Sequence, residues 1–277
     1  MPHPIHRRNP NRGPGLHANR DGLAAEEPLE IRVNGRAVSV TMRTPGGDAE
    51  DPDARVREDT ELAAGFLLSE GVIAGPDDLA SIAPCPRADD PDGNVLNVTL
   101  APACDWDPDT LTRHVFASSS CGLCGKATID AVHQRLDPVY APAPVSADVI
   151  CTLPDTLRTA QATFGRTGGL HAAGLVTRTG ELLVAREDVG RHNAVDKVLG
   201  RALLDGLPCD DKLLMISGRA SFEILQKALS ARVPVVAAVS APSSLAADFA
   251  RDSGQTLVGF LRPPTFNVYA HPERICG

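Results

Sequence analysis

Two thiols flanked by glycines pose the first chemical question. In Ser118-Ser-Ser-Cys121-Gly-Leu-Cys124-Gly-Lys126 the serines read as helix N-caps, with Ala127 to Leu136 as the helix that follows. A cysteine at a helix N-terminus meets the positive end of the dipole and unpaired N–H groups, and both favour thiolate. Lys126 adds positive charge, while Gly122 and Gly125 leave the sulfurs approachable. These are conditions for a nucleophile. Structural zinc needs four ligands, usually from a second pair, but Cys85, Cys104, Cys151, Cys209 and Cys276 are scattered singles, so no metal site is expected. A zinc deaminase needs Pro directly before the pair and His-x-Glu upstream; Ser120 stands at the first position and no His-x-Glu precedes it. A dithiol oxidoreductase and a carrier of sulfane sulfur as persulfide use the same thiolate chemistry. The motif leaves both open.

The other polar motifs suit anions. Ser217-Gly-Arg-Ala-Ser221, between a strand and a helix, offers N–H groups, hydroxyls and a guanidinium, the makings of a phosphate cradle in Ser217, Gly218, Arg219 and Ser221. Ser240-Ala-Pro-Ser-Ser244 holds the equivalent place after the next strand, and ligands of α/β sheets sit beyond the carboxyl ends of parallel strands. Thr167-Gly-Gly-Leu-His171 sets a titratable His beside a Gly pair. Arg186-Glu-Asp-Val-Gly-Arg-His-Asn193, with Asp196 and Lys197 one turn later, reads as a ligand or cofactor pocket around His192 and Asn193. Arg262, leaving the last strand, is placed to close over an anion, for which Arg is the preferred bidentate partner. Trp106 and Met215 read as core.

The elements that must position these residues follow from periodicity. Glu30 to Val33 and Arg36 to Thr44 alternate around Asn34-Gly35, the strongest two-residue hairpin signal. Asp59 or Thr60 caps an expected helix over Glu61 to Glu70, and Val95 to Leu100 reads as a strand. Three prolines in 137–147 mark a connection. Beyond it, Gly174 to Thr177 and Glu181 to Ala185 read as paired strands, and Asn193 to Leu204 as a helix. Lys212 to Ile216, Val233 to Val239 and Leu257 to Leu261 (strands) then alternate with Ser221 to Ala231 and Ser244 to Arg251 (helices). That rhythm is α/β, with a buried sheet between helices. The expected organisation is a disordered tail over 1–27, a small α+β domain over 28–115, and an α/β domain over 116–277.

The 277 residues carry 27 Lys+Arg against 35 Asp+Glu, a net charge of −8, and 43% hydrophobic residues. This is ordinary globular composition. The acidic balance argues against a nucleic-acid binder. The longest uncharged run, Val233 to Ala247, is too short and too broken by proline to span a membrane. An odd cysteine count, with no apolar h-region in 1–27, points to a reduced, cytoplasmic protein.

Taken together, the motifs resemble the formate dehydrogenase accessory sulfurtransferases, the FdhD type. The matching segments are Ser119 to Lys126, Thr167 to His171, Arg186 to Lys197, Ser217 to Glu223, Val239 to Ser244, Phe266 to Tyr269 and Gly65 to Gly71. The resemblance implies a cytidine-deaminase-like three-layer α/β fold with a smaller N-terminal α+β region, and a homodimer. It implies a sulfur carrier that a cysteine desulfurase loads at Cys121, with Cys124 assisting. Its cargo would be the bis-molybdopterin guanine dinucleotide cofactor of molybdenum or tungsten, sulfurated before insertion into formate dehydrogenase. Phe260, Leu261, Arg262, Pro263, Pro264 and Thr265 would touch that cofactor; Pro263-Pro264 replaces the glycine or polar residues expected there. Two other activities compete: a cofactor-holding assembly chaperone without sulfur chemistry, and a dithiol oxidoreductase.

Overall fold

The computed structural model describes residues 2–8, 16–46, 52–85, 93–107, 136–140 and 143–277. Its centre is a six-stranded sheet of order β13-β12-β11-β10-β8-β9. The strands are β8 (His171–Val176), β9 (Leu182–Asp188), β10 (Leu213–Ile216), β11 (Val235–Ala238), β12 (Thr256–Arg262) and β13 (Thr265–Ala270). Only β10, β11 and β12 are mutually parallel; β8, β9 and β13 join antiparallel. Because side chains alternate across a strand, each short apolar run supplies two cores. Leu213 and Met215 face α2 (Ala147–Thr159), which follows the short strand β7 (Val145–Ser146) and precedes α3 (Ala162–Thr167), with its Ile150, Leu153 and Leu157. Leu214 and Ile216 face α4 (Arg191–Leu204), α5 (Phe222–Ser230) and α6 (Ser244–Asp252). The result is the expected three-layer α/β arrangement. Each fully buried Leu, Ile or Val contributes roughly 1.5–3 kcal/mol.

A second sheet, order β4-β3-β6-β5, covers α1 (Pro52–Ser69). Its strands are β3 (Glu27–Val33), β4 (Arg36–Arg43), β5 (Leu79–Pro84) and β6 (Val95–Leu100). The β3–β4 turn is the predicted one: Asn34 and Gly35 both take positive φ (49° and 81°), as a type I′ turn requires. Helix α1 begins nine residues before the predicted Glu61, so Asp59 is not its cap. Asp59 lies mid-helix and buried, accepting from Arg43 Nε at 2.7 Å and Nη2 at 3.0 Å. Helices α1 and α4 cross at backbone contact: a Cβ on Gly200 would lie 1.8 Å from the Glu61 carbonyl oxygen, and one on Gly65 1.9 Å from that of Asp196. Glycine alone permits that approach.

Residues 2–8 and 16–22, expected within a disordered tail, pair instead as an antiparallel ribbon of β1 (Pro2–Arg8) and β2 (Leu16–Gly22). Its ladder and an exposed Arg7–Asp21 pair hold it without an apolar core. Backbone pairing escapes a composition argument that counts only apolar burial. No helix among the described residues is long and apolar enough to cross a membrane.

Candidate functional site at the carboxyl ends of the parallel strands

Strands β10, β11 and β12 end side by side, and the turns after β10 and β11 are the two predicted cradles. Ser217 fixes the first: its N–H donates to the Ala172 carbonyl and its Oγ accepts from the Ala172 N–H, both at 2.9 Å. Ala220 bridges to Pro242, and the Ser243 N–H donates to the Ala220 carbonyl at 3.0 Å, tying the second turn to the first. The Phe260 N–H donates to the Ser240 carbonyl at 3.1 Å, bringing in β12. Past this point β12 outruns β11, and Phe260, Arg262, Pro263, Pro264 and Thr265 form the exposed tip of the β12–β13 hairpin. Pro263-Pro264 makes its turn through a cis peptide bond, and the Pro264 carbonyl accepts from Cys151 Sγ at 3.7 Å. Leu261 points the other way, into the α2 core.

The two cradle helices differ at their caps. Ser243 caps α6, its Oγ accepting from the Ala246 N–H at 3.1 Å. Ser221 holds the same extended N-cap conformation on α5 but makes no side-chain cap bond. Its hydroxyl lies 3.3 Å from His192 Nε2, with the Glu223 carboxylate 3.8 Å from the same nitrogen. In α5 the equivalent N–H, that of Ile224, donates to the Ser221 carbonyl at 3.1 Å instead, which leaves the Ser221 hydroxyl to His192.

Positive charge gathers around that turn. Gly218 lies against His171 and Arg191, so a Cβ there would sit 3.4 Å from His171 Nδ1. Burial, then Arg191 and Arg219, push the His171 imidazole below its ordinary value. His192 is held down to about 3 by burial, then by Lys227, Arg191 and His171. Both imidazoles are therefore neutral at pH 7, and an anion among these groups would relieve the field that keeps them so.

The long polar string from Arg186 to Lys197 has a second duty, which its composition does not disclose. Arg186, expected in the pocket, instead clamps Glu61 of α1 bidentately at 2.5 and 2.6 Å. Lys197 is buried between Asp188 (2.9 Å) and Glu58 (3.1 Å), and those carboxylates keep it charged against the cost of burial. Asp196 meets Lys227 at 2.8 Å. Asn193 donates to the Met42 carbonyl (2.7 Å) and to Asp188 (3.0 Å), tying α4 to β4. From this string only Arg191 and His192 turn toward the cradle. Of the acidic partners, Glu58 read in sequence as the end of a loop, Asp59 as a candidate cap and Glu61 as the first helical residue; the i, i+3 spacing of Glu58 and Glu61 was the available sign of an inward face.

Cys121 and Cys124 lie outside the described residues, as do the serines and the helical stretch predicted around them. Their stems are placed. On one side, Cys104 Sγ donates to the Val72 carbonyl and Trp106 packs on the α1 core, as Leu203 and Ala231 also do. On the other, the Val139 N–H donates to the Ser253 carbonyl (2.9 Å), and Arg232 binds the Asp137 and Pro138 carbonyls. Arg232 and Ser253 precede β11 and β12, so this second stem stands at the amino ends of the parallel strands, opposite the cradle.

The family model described as the FdhD/NarQ family matches residues 24–276. The chain belongs to that family. It is 53% identical over 264 residues to the sulfur carrier protein FdhD of Streptomyces avermitilis, covering 92% of this chain and 89% of the relative. It is 51% identical over 262 residues to the protein of that name from Mycobacterium tuberculosis, covering 91% of each. A crystal structure described as that of a formate dehydrogenase accessory protein from Desulfotalea psychrophila superposes with a TM-score of 0.76 at 26% identity, covering 100% of this chain and 99% of that one. The family's shared fold accounts for the α/β architecture read from the periodicity.

Proposed function

We propose that this chain is a sulfur carrier in the maturation of formate dehydrogenase, acting in the reducing cytoplasm on a cargo cofactor that bears guanine nucleotide phosphates. The relatives' name and the Cys121-Gly-Leu-Cys124 chemistry support the sulfur half. In the loading step the Cys121 thiolate attacks the outer sulfur of a cysteine desulfurase persulfide. The S–S bond of the donor breaks, the donor cysteine leaves as thiolate, and Cys121 becomes the persulfide. In delivery Cys124 attacks the inner sulfur; hydrosulfide leaves for the metal of the cargo, and the resulting Cys121–Cys124 disulfide is reopened by a thiol reductant.

One observation carries the cargo half: at the α5 N-terminus the Ser221 hydroxyl faces His192 and not its own helix, and Arg191, Arg219 and His171 gather around the same turn. Such a site takes phosphate. Arg262, on the hairpin tip next to the second cradle turn, offers a further guanidinium. The bis-molybdopterin guanine dinucleotide of molybdenum or tungsten, delivered onward to formate dehydrogenase, fits this demand.

The test is intact mass after incubation with a cysteine desulfurase and cysteine. A gain of one sulfur atom, removed by reductant and absent from Cys121→Ala, is expected. No gain in the wild type overturns the carrier reading in favour of a cofactor-holding chaperone, and thiol–disulfide cycling without added sulfur indicates an oxidoreductase. GDP should separately raise the melting temperature by mass action.

A further inference from the structure

At the amino ends of the parallel strands, the face opposite the cradle carries a groove of about 510 Å³. Leu68, Leu199, Leu203, Leu207 and Pro208 give it an apolar floor, and Tyr140, 79% exposed, stands at its edge. Its rim is acidic. Asp210 lines it directly; Asp205 lies between Leu203 and Leu207; Asp78 accepts from the N–H of Ala74, another lining residue; Asp137 adjoins Val139. Against these four carboxylates stand two guanidiniums, Arg232, which keeps its charge while donating to two carbonyls, and Arg201, paired to Asp205; Lys212 and Asp211 cancel, so the rim stays net negative. The second stem of the cysteine segment borders the groove through Val139 and Tyr140, and the first packs through Trp106 on the α1 core that the lining residues Leu203 and Ala231 also join.

We propose that this groove docks a basic amphipathic segment of a partner protein, whose apolar side fills the leucine floor and whose lysines or arginines meet the aspartate rim. The two kinds of contact select together: an apolar floor alone takes any hydrophobic segment, and an acidic rim alone takes any cation. A partner held here lies beside the second stem of the segment that carries Cys121. The proposal concerns docking only, so its failure leaves the carrier reading untouched.

The probes are two labelled eighteen-residue helical peptides with the same leucine face, one with lysine and one with glutamate on the other face, titrated by fluorescence anisotropy onto the full chain. The lysine peptide should bind with a dissociation constant in the tens of micromolar and the glutamate peptide at least tenfold more weakly. Asp205→Lys with Asp210→Lys should weaken the lysine peptide about tenfold, and Tyr140→Ser severalfold. Asp155→Lys with Glu26→Lys changes the net charge equally on α2 and ahead of β3, away from the groove, and should leave binding unchanged. All these positions are exposed, so each variant should melt like the wild type. The proposal is overturned if the lysine peptide does not bind, as when the chain's own residues or a second copy fill the groove. Equal weakening by the two charge-reversal pairs also overturns it.

Discussion

Replacing His192 with Gln should remove a specific part of the chain's acid sensitivity. In the folded protein this imidazole titrates near 3 against an ordinary 6.5, because burial and the cations Lys227 and Arg191 oppose a second positive charge. The unfolded chain therefore binds a proton that the folded chain refuses, and stability falls as pH drops below 6.5. The full difference of about 3.5 units corresponds to about 5 kcal/mol, reached only near pH 3. Between pH 7.5 and 5 the same two values give a loss of about 2 kcal/mol, or roughly 4–8 °C in melting temperature for a chain of this size. Urea unfolding of wild type and His192→Gln at both pH values isolates this contribution, since the other titrating groups cancel in the difference. Equal losses in the two proteins would refute the electrostatic account of the cradle. The same coupling makes a functional prediction. A phosphate among Arg191, Arg219 and His192 raises the ring's titration point above about 3, so GDP affinity relative to His192→Gln should rise as pH falls below that raised value, by up to tenfold per unit. A pH dependence identical in the two proteins counts against the anion site.

Four further substitutions separate scaffold from site. Gly200→Ala places a methyl 1.8 Å from the Glu61 carbonyl at the α1–α4 crossing and should cost at least the 1–3 kcal/mol typical of overpacking, read in thermal melts. Lys227→Met strands Asp196 in the interior and should cost about 3–5 kcal/mol, with much of the loss recovered when Asp196→Leu is added; a single-variant cost under about 1 kcal/mol contradicts the buried pair. Arg219→Ala should weaken GDP binding without moving the melting temperature, whereas Arg186→Ala should lower the melting temperature by leaving Glu61 buried without its clamp.

The parallel centre of the fold was legible because β10 and β11 are buried on both faces, so that Leu213 to Ile216 and Val235 to Ala238 stand out as unbroken apolar runs. The β3–β4 turn was legible because Asn34 and Gly35 are the residues that positive φ selects. Charge was the poor guide. Asp59 looks like a helix cap, and Arg186 and Lys197 look like ligand-binding groups, yet Asp59 holds Arg43 of β4, Arg186 of β9 holds Glu61, and Lys197 of α4 holds Glu58. One sequence cannot show pairings between residues more than a hundred positions apart, as Glu58 with Lys197 and Glu61 with Arg186. The cradle turns were readable because each follows an apolar run and precedes a helix. That Ser221 would turn to His192 while Ser243 caps its own helix depends on contacts between α4 and α5, which local sequence does not encode.

The second described stem of the cysteine segment and the cradle stand at opposite ends of one sheet, and chain length decides whether a single copy can join them. Fourteen residues lead from Asp107 to Cys121 and twelve from Cys124 to Leu136. Fully extended at about 3.3 Å per residue the shorter stem spans about 40 Å, but with Ala127 to Leu136 helical, as the sequence reads, it spans about 23 Å, which is what β12 covers in its seven residues. Length therefore permits Cys121 to reach its own cradle, with no margin to spare while that helix is kept. Mixing Cys121→Ala chains with chains carrying Arg219→Ala and Arg262→Ala tests this directly. Transfer within one chain predicts that the mixture stays unable to activate formate dehydrogenase, because each chain lacks one end of the path. Restored activation would mean that sulfur crosses between copies, and the length argument would then describe only what the chain permits.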